Sequence, residues 1–92
     1  GGTFQIFTSA SNNAIFGTYA GAKITTGSYN IAFGYKTLCN GNTTGNSNIA
    51  IGCEAGKGIS SGAENISMGT LALGAGTVTG GCNISLGINA GT

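Results

Sequence analysis

Five charged side chains carry most of the acid–base chemistry available to this 92-residue chain. They are Lys23, Lys36, Lys57, Glu54 and Glu64, and the chain has no Arg, Asp, His, Pro or Trp. Without His or Asp, a His-based proton relay and most metal-ligand sets are excluded, and the two glutamates are the only possible carboxylate pair. A net charge of +1 is also too small to neutralise a row of phosphates. These residues predict no enzyme activity, no cofactor, no metal and no nucleic-acid partner.

Three cysteines, Cys39, Cys53 and Cys82, are the candidate nucleophiles and disulfide formers. An odd number leaves at least one thiol without a partner in the same chain, so a disulfide between chains is one interpretation if the compartment is oxidising. Cys53 and Cys82 adjoin the repeated pentapeptide described below, which makes them the better candidates for contacts between chains. The alternative is that some cysteines are small buried residues that fill corners. A zinc site would need a fourth ligand and closely spaced Cys pairs, and neither is present.

An aromatic and weakly basic patch is a second candidate site. All three tyrosines, Tyr19, Tyr29 and Tyr35, come early in the chain, close to Lys36 and Lys23. Together they could contact a glycan or a neighbouring subunit. The alternative is that they are scattered surface aromatics of a β protein.

A repeat of 17 or 18 residues must position these side chains. Variants of the pentapeptide Asn-Ile-Ala-Ile-Gly occur five times, with their asparagines 17, 18, 17 and 18 residues apart. The asparagines are Asn13, Asn30, Asn48, Asn65 and Asn83, and the closing glycines are Gly17, Gly34, Gly52, Gly69 and Gly87. The longer units have Leu38 and Leu73 where the shorter ones have Gly21, Gly56 and Gly91. The larger unit is therefore a pair of coils.

This period predicts an all-β fold, a parallel β-solenoid or β-roll of about five coils, whose unpaired ends favour a polymeric assembly. In each pentapeptide, large residues alternate with Ala or Ser, which indicates a short strand with one face buried. Whether the small column faces solvent or another chain stays open. Small residues after each glycine corner, such as Ala20 and Thr37, predict a second short strand. Residues 1–92 form one domain, with a half-coil at 1–10 and coils that start near 11, 28, 46, 63 and 81.

Two polar columns follow from the repeat. The asparagines are expected to stack and satisfy one another as a structural ladder, with a carbohydrate-binding ladder as the alternative. Asn42, Asn65 and Asn83 also match the N-glycosylation pattern, which we interpret as a coincidence of the repeat. Hydroxyl residues form the second column, which could order water as an ice-binding face or simply be solvated turn residues. They are Thr8, Ser9, Thr25, Thr26, Thr43, Thr44, Ser60, Ser61 and Thr79.

The segment from Asn48 to Gly52 with the following Ala55 and Gly56, and the run Gly41-Asn-Thr-Thr-Gly45, resemble the head and shaft repeats of trimeric autotransporter adhesins. They are similar as well to β-roll repeats of phage tail fibres and other secreted fibres, and the resemblance covers nearly the whole chain. It implies a left-handed parallel β-roll, three chains side by side, display on a cell or virion, use in attachment, and no catalytic residues. The three cysteines and the longer coil depart from the family pattern.

The function predicted from these features is a stiff extracellular rod for surface attachment, on a cell surface or a virion fibre. Its partners would be copies of itself and a host-surface glycan or protein. A filament subunit joined head to tail by strand addition is the first alternative, because the chain starts and ends inside a coil. An ice-binding solenoid is the second. No apolar stretch reaches the roughly 18 residues of a membrane span.

Overall fold

The computed structural model describes residues 12–39, 43–74 and 78–91. Five strands follow the five asparagines: β1 (Ala14–Phe16), β2 (Ile31–Phe33), β3 (Ile49–Ile51), β4 (Ile66–Met68) and β5 (Ile84–Leu86). They pair in parallel, in chain order, in one sheet, and the described residues contain no helix. The predicted parallel β-solenoid is confirmed, with about four full turns between the first and the last strand. The predicted half-coil at 1–10, with Thr8 and Ser9, lies outside the described residues, as does Asn42, which matches the glycosylation pattern.

Every strand keeps the register that the pentapeptide predicts. Ile31 pairs with Ile49, and Ala14 pairs with Ile31 although β1 exchanges the usual order of large and small residues. The glycine corners continue the ladder, since the Gly34 N–H donates to the Phe16 carbonyl at 2.8 Å and the equivalent bonds recur in later turns. A chain without proline can donate from every backbone N–H, which such stacking requires.

In β2 to β5 the small middle residue faces inward and the two large residues face outward, whereas in β1 the order is exchanged and Ile15 packs against the core. Ala32, Ala50 and Ser67 are completely buried, whereas the large residues on either side of each are partly or well exposed. The interior holds these small side chains, Ile15 in the first turn, and side chains of other segments such as Ile24 and Leu38. The small column of β2 to β5 therefore faces neither solvent nor another chain, because it packs inside its own coil.

The second short strand predicted after each glycine corner is wrong, because these residues form turns. The N–H of Ala20 donates to the carbonyl of Gly17 at 3.1 Å, and Tyr19 between them has a φ of 60°. A positive φ at the third residue of a four-residue turn reverses the chain sharply, which is incompatible with an extended strand. The same turn recurs in every coil, and the small residue after it is buried in the first four: Ala20, Thr37, Ala55 and Ala72.

The two coil lengths differ in how they fill the interior. In the first coil Gly21, with a φ of 65°, leaves room for Ile15 and Ile24, since a Cβ there would overlap the Ile15 Cδ1 atom and lie 3.1 Å from the Ile24 Cδ1 atom. In the second coil Leu38 adopts a φ of 48° at the same place and fills the interior itself, and the smaller Thr43 pairs with Ile24. The exchange repeats in the next pair of coils at Gly56, Ile59, Leu73 and Val78. Large and small residues thus alternate between turns, and the repeat of two coils has a packing cause.

Candidate functional site

The outer face of the sheet is an apolar surface built from the first and third residues of the strands. Phe16, Ile31, Phe33, Met68, Ile84 and Leu86 are each at least 39% exposed, and Ile49, Ile51 and Ile66 are partly exposed between them. The Phe16 and Phe33 rings stack along the column with centroids 5.2 Å apart. Four strand spacings of about 4.8 Å make this apolar face about 19 Å tall. Soluble monomers rarely expose a continuous apolar surface of this kind, so it has the character of an interface.

The asparagine column is a hydrogen-bonded ladder at a buried corner. The Oδ1 atom of each asparagine accepts from the backbone N–H of the asparagine in the next turn, as in Asn48 to Asn30 at 2.8 Å and Asn65 to Asn48 at 3.0 Å. The Nδ2 groups of the first four asparagines each donate to a glycine carbonyl, as in Asn48 to Gly62 at 2.9 Å, whereas that of Asn83 donates to the Asn65 Oδ1 atom at 3.0 Å. No buried side-chain nitrogen or oxygen in the described part of the chain lacks a hydrogen-bond partner.

The accessibility of this ladder decides between its two interpretations. Asn30, Asn48 and Asn65 have no exposed surface. A buried amide whose donor and acceptor are both occupied cannot bind carbohydrate, nor can Asn65 accept a glycan in the folded chain. The geometry therefore supports a structural role for this column.

A groove crosses the first three turns on another side of the solenoid. It encloses about 450 Å³ and is lined by Tyr19, Ala22, Lys23, Tyr35, Lys36, Cys39 and Lys57. Four of the five residues of the predicted aromatic and basic patch line this groove: Tyr19, Lys23, Tyr35 and Lys36. The fifth, Tyr29, lies in the column directly before the asparagines and does not line the groove. We call this feature the lysine groove, because it gathers every lysine of the chain.

The electrostatics of the lysine groove are uneven. Lys57 donates to the Glu54 carboxylate at 2.7 Å, which lowers the pKa of Glu54 and raises the pKa of Lys57. The Lys36 ammonium lies 5.3 Å from the centroid of the Tyr35 ring, within the range of a cation–π interaction. Three ammonium groups against one carboxylate leave two positive charges at the groove, whereas the net charge of the whole chain is +1.

Sequence reasoning missed Lys57, Cys39 and Ala22 as members of this groove. They occupy one column, directly after the residue that is Gly in short coils and Leu in long coils. An alignment of short and long coils at this Gly or Leu position would have placed the three residues in one column and so identified them.

The three cysteines have different environments. Cys39 is partly buried in the groove wall, and burial raises the pKa of its thiol despite the opposing effect of nearby Lys36. Cys53 and Cys82 are exposed, and all three are free thiols. Cys82 donates to the Glu64 carboxylate at 3.5 Å, which raises the pKa of Cys82. A disulfide between chains stays a prediction for Cys39, Cys53 and Cys82, of which the last two are exposed.

The hydroxyl column is less regular than the sequence alignment suggests. Thr43 is fully buried, pairs with Ile24 and donates to the Ile59 carbonyl at 3.2 Å. The sequence motif instead matches Thr43 with Thr25, the residue after Ile24. Within this column, one hydroxyl residue is exposed in each turn of the described residues: Thr26, Thr44, Ser61 and Thr79.

No family model, curated protein or solved structure matches the chain. Function therefore rests on the geometry of the molecule. In the described ranges, no helix could cross a membrane, and no three His, Cys, Asp or Glu residues gather as metal ligands would.

Proposed function

We propose that the chain is a non-enzymatic structural repeat domain of an extracellular fibre, in which three copies pack side by side through the apolar face to form a stiff rod for attachment. The observation that carries the proposal is the outward orientation of the large strand residues, including Phe33 at 52% exposed and Leu86 at 63%. Covering such a surface is favourable by about 25 cal/mol for each Å² removed from water.

A second copy of the chain is the partner that best fits this face. The exposed side chains repeat once in every turn, so two copies present ridges with the same spacing and can interdigitate over the whole height. With 5% charged residues, the chain also has little electrostatic repulsion between copies. The resemblance to trimeric adhesin and fibre repeats suggests three copies and display on a cell or virion surface.

The distribution of the carboxylates supports a role without catalysis. Glu54 is paired with Lys57 at one corner, and Glu64 contacts Cys82 in the column before the asparagines. An acid–base pair needs two groups that face one substrate. These two glutamates belong to different columns of the repeat.

Solution mass with matched variants tests the proposal. We expect the wild-type chain to sediment as a discrete species of three times 8.9 kDa. Phe33→Glu places a charge in the middle of the apolar face and should yield folded monomers. Thr44→Glu adds the same charge at an exposed hydroxyl position and should leave the trimer intact.

Two other results would replace the proposal. A wild-type monomer at micromolar concentration would show that the apolar face does not hold copies together. Open-ended polymers that persist in Phe33→Glu would favour the filament joined head to tail. Ice binding has weaker support, because the hydroxyl column has only one exposed member in each described turn, and absence of thermal hysteresis would exclude it.

A further inference from the structure

We infer that the lysine groove is a binding site for an acidic saccharide, with the tyrosine rings under the sugar and the lysines at its acidic groups. This inference deepens the proposed attachment role by naming the class of ligand. It concerns a different side of the solenoid from the apolar face, so binding and assembly can be measured separately.

The first argument comes from comparing the coils of the chain with one another. The position occupied by Lys36 has a φ of 57°, and its equivalents Tyr19, Glu54 and Leu71 have φ between 60° and 61°. The backbone therefore makes the same turn whichever side chain is present. Tyr35 likewise has Thr70 as its equivalent two coils later. The fold does not require lysine or tyrosine at these positions, and their concentration in the first three turns needs another explanation.

The second argument is electrostatic. Lys23, Lys36 and Lys57 come from three successive turns and line one cavity, and only Lys57 is paired with a carboxylate in the described residues. The thiol of Cys39 in the groove wall is influenced by all three ammonium groups. Bringing like charges together is unfavourable in the free protein and becomes favourable when an anion lies between them. The cavity is therefore suited to a ligand with more than one negative charge.

The third argument concerns the rings. Tyr19 is 47% exposed and Tyr35 is 45% exposed at the groove, so each presents apolar ring surface to a ligand. A volume of about 450 Å³ lies within the range of small-molecule sites. A sugar has an apolar face of C–H groups that packs on such rings, and its hydroxyl and acidic groups reach the polar rim.

The shape of the groove favours an extended saccharide over a nucleotide. Its charges are separate lysine ammonium groups on three successive turns. The backbones of neighbouring turns are about 4.8 Å apart. Phosphate groups of a nucleotide lie close together and are commonly held by a cluster of backbone N–H groups. Acidic groups on successive sugar units match the spread arrangement better.

Calorimetric titration with a heparin-derived hexasaccharide tests the inference. We expect binding that weakens as salt is raised, because exposed charges are screened. Lys36→Leu and Tyr35→Thr introduce residues found at the equivalent positions in coil 4, so the turns should persist, and each should weaken binding by about tenfold. Tyr29→Ser, which copies Ser47 in its own column, removes a tyrosine outside the groove and should bind like the wild type.

The rate of cysteine alkylation is a second measure of saccharide binding at the same site. Cys39 lies in the groove wall, whereas Cys82 lies in the column before the asparagines. The bound hexasaccharide should slow alkylation of Cys39 and leave that of Cys82 unchanged in the same molecules.

Several outcomes would overturn the inference. These are no binding of the hexasaccharide, an equal loss of affinity in Tyr29→Ser, or binding of neutral cellohexaose with the same affinity. Equal affinity for inorganic sulfate would show that the groove binds simple anions. Tighter binding of ATP would show that it prefers nucleotides. Sedimentation of Lys36→Leu and Tyr35→Thr should match the wild type, so failure of saccharide binding remains distinct from failure of assembly.

Discussion

Removing one amide from the middle of the asparagine ladder should destabilise the fold far more than removing an exposed asparagine. Asn48→Ala deletes the acceptor of the Asn65 N–H, at 3.0 Å, and the donor to the Gly62 carbonyl, at 2.9 Å. Both partners are buried, and the alanine methyl group can replace neither bond. The side chain of Asn48 has no exposed surface, so water has no direct route to the two groups.

The magnitude follows from the two groups that lose their partners. A buried polar group left without a hydrogen bond costs about 1–3 kcal/mol, so Asn48→Ala should cost about 2–6 kcal/mol. A chain of this length is typically stable by about 5–14 kcal/mol. The single substitution should therefore remove a large fraction of the free energy of unfolding.

Two matched variants provide the comparison. Asn46 is exposed, and its Oδ1 atom accepts from the Ser28 N–H at 2.7 Å, where water can substitute. Asn46→Ala should cost no more than about 1 kcal/mol. Asn83→Ala, at the exposed end of the described ladder, loses one donor to Asn65 and should fall between the other two.

Urea unfolding followed by far-ultraviolet circular dichroism measures these differences, at one protein concentration because self-association also stabilises the fold. The expected order of stability is wild type, Asn46→Ala, Asn83→Ala and then Asn48→Ala. If Asn48→Ala and Asn46→Ala unfolded at the same urea concentration, the ladder would contribute no more than a solvated side chain, and the reasoning would fail.

Two further predictions concern the glycine corners and the thiols. Gly62→Ala should destabilise the fold by about 1–3 kcal/mol, because the new Cβ would overlap the Gly80 carbonyl oxygen. Gly80→Ala should be close to neutral in the same urea assay, because the nearest atom to its Cβ, the Asn83 Nδ2, would lie at 3.4 Å. Mass spectrometry after brief iodoacetamide treatment at mildly alkaline pH should show Cys39 modified more slowly than Cys82. The pKa of both thiols is raised, so the difference comes from access, because Cys39 is partly buried and Cys82 is exposed; faster modification of Cys39 would contradict the groove geometry.

The strands and their register could be predicted from the sequence because they depend on a local pattern. Each strand begins directly after an asparagine of the pentapeptide, from Ala14 to Ile84. The inward face could not be predicted, since alternation of large and small residues shows two faces and does not say which one is inside. In β2 the structure places Ala32 inside the coil and Phe33 outside.

The turns were mispredicted for a different physical reason. Tyr19 and Lys36 adopt positive φ, a conformation that residues other than Gly, Asn and Asp rarely adopt. Their residue types therefore carry no signal for a sharp turn. Stacking enforces it, since the Lys36 N–H donates to the Thr18 carbonyl at 3.0 Å and similar bonds hold the later coils. The groove was only partly predictable, because it depends on which residues of coils of different length lie above one another.

The repeat separates the residues that build the fold from those that can carry function. The asparagine and glycine columns do not vary, because a buried amide is needed at one corner and the φ of Gly52, at 122°, is needed at another. The column of Tyr19, Lys36, Glu54 and Leu71 varies freely, because the backbone of the neighbouring coils fixes its conformation and its side chains point away from the core. A change in such a column alters the surface without changing the coil. A solenoid of this kind can therefore carry a charged groove on one side and an apolar face on another.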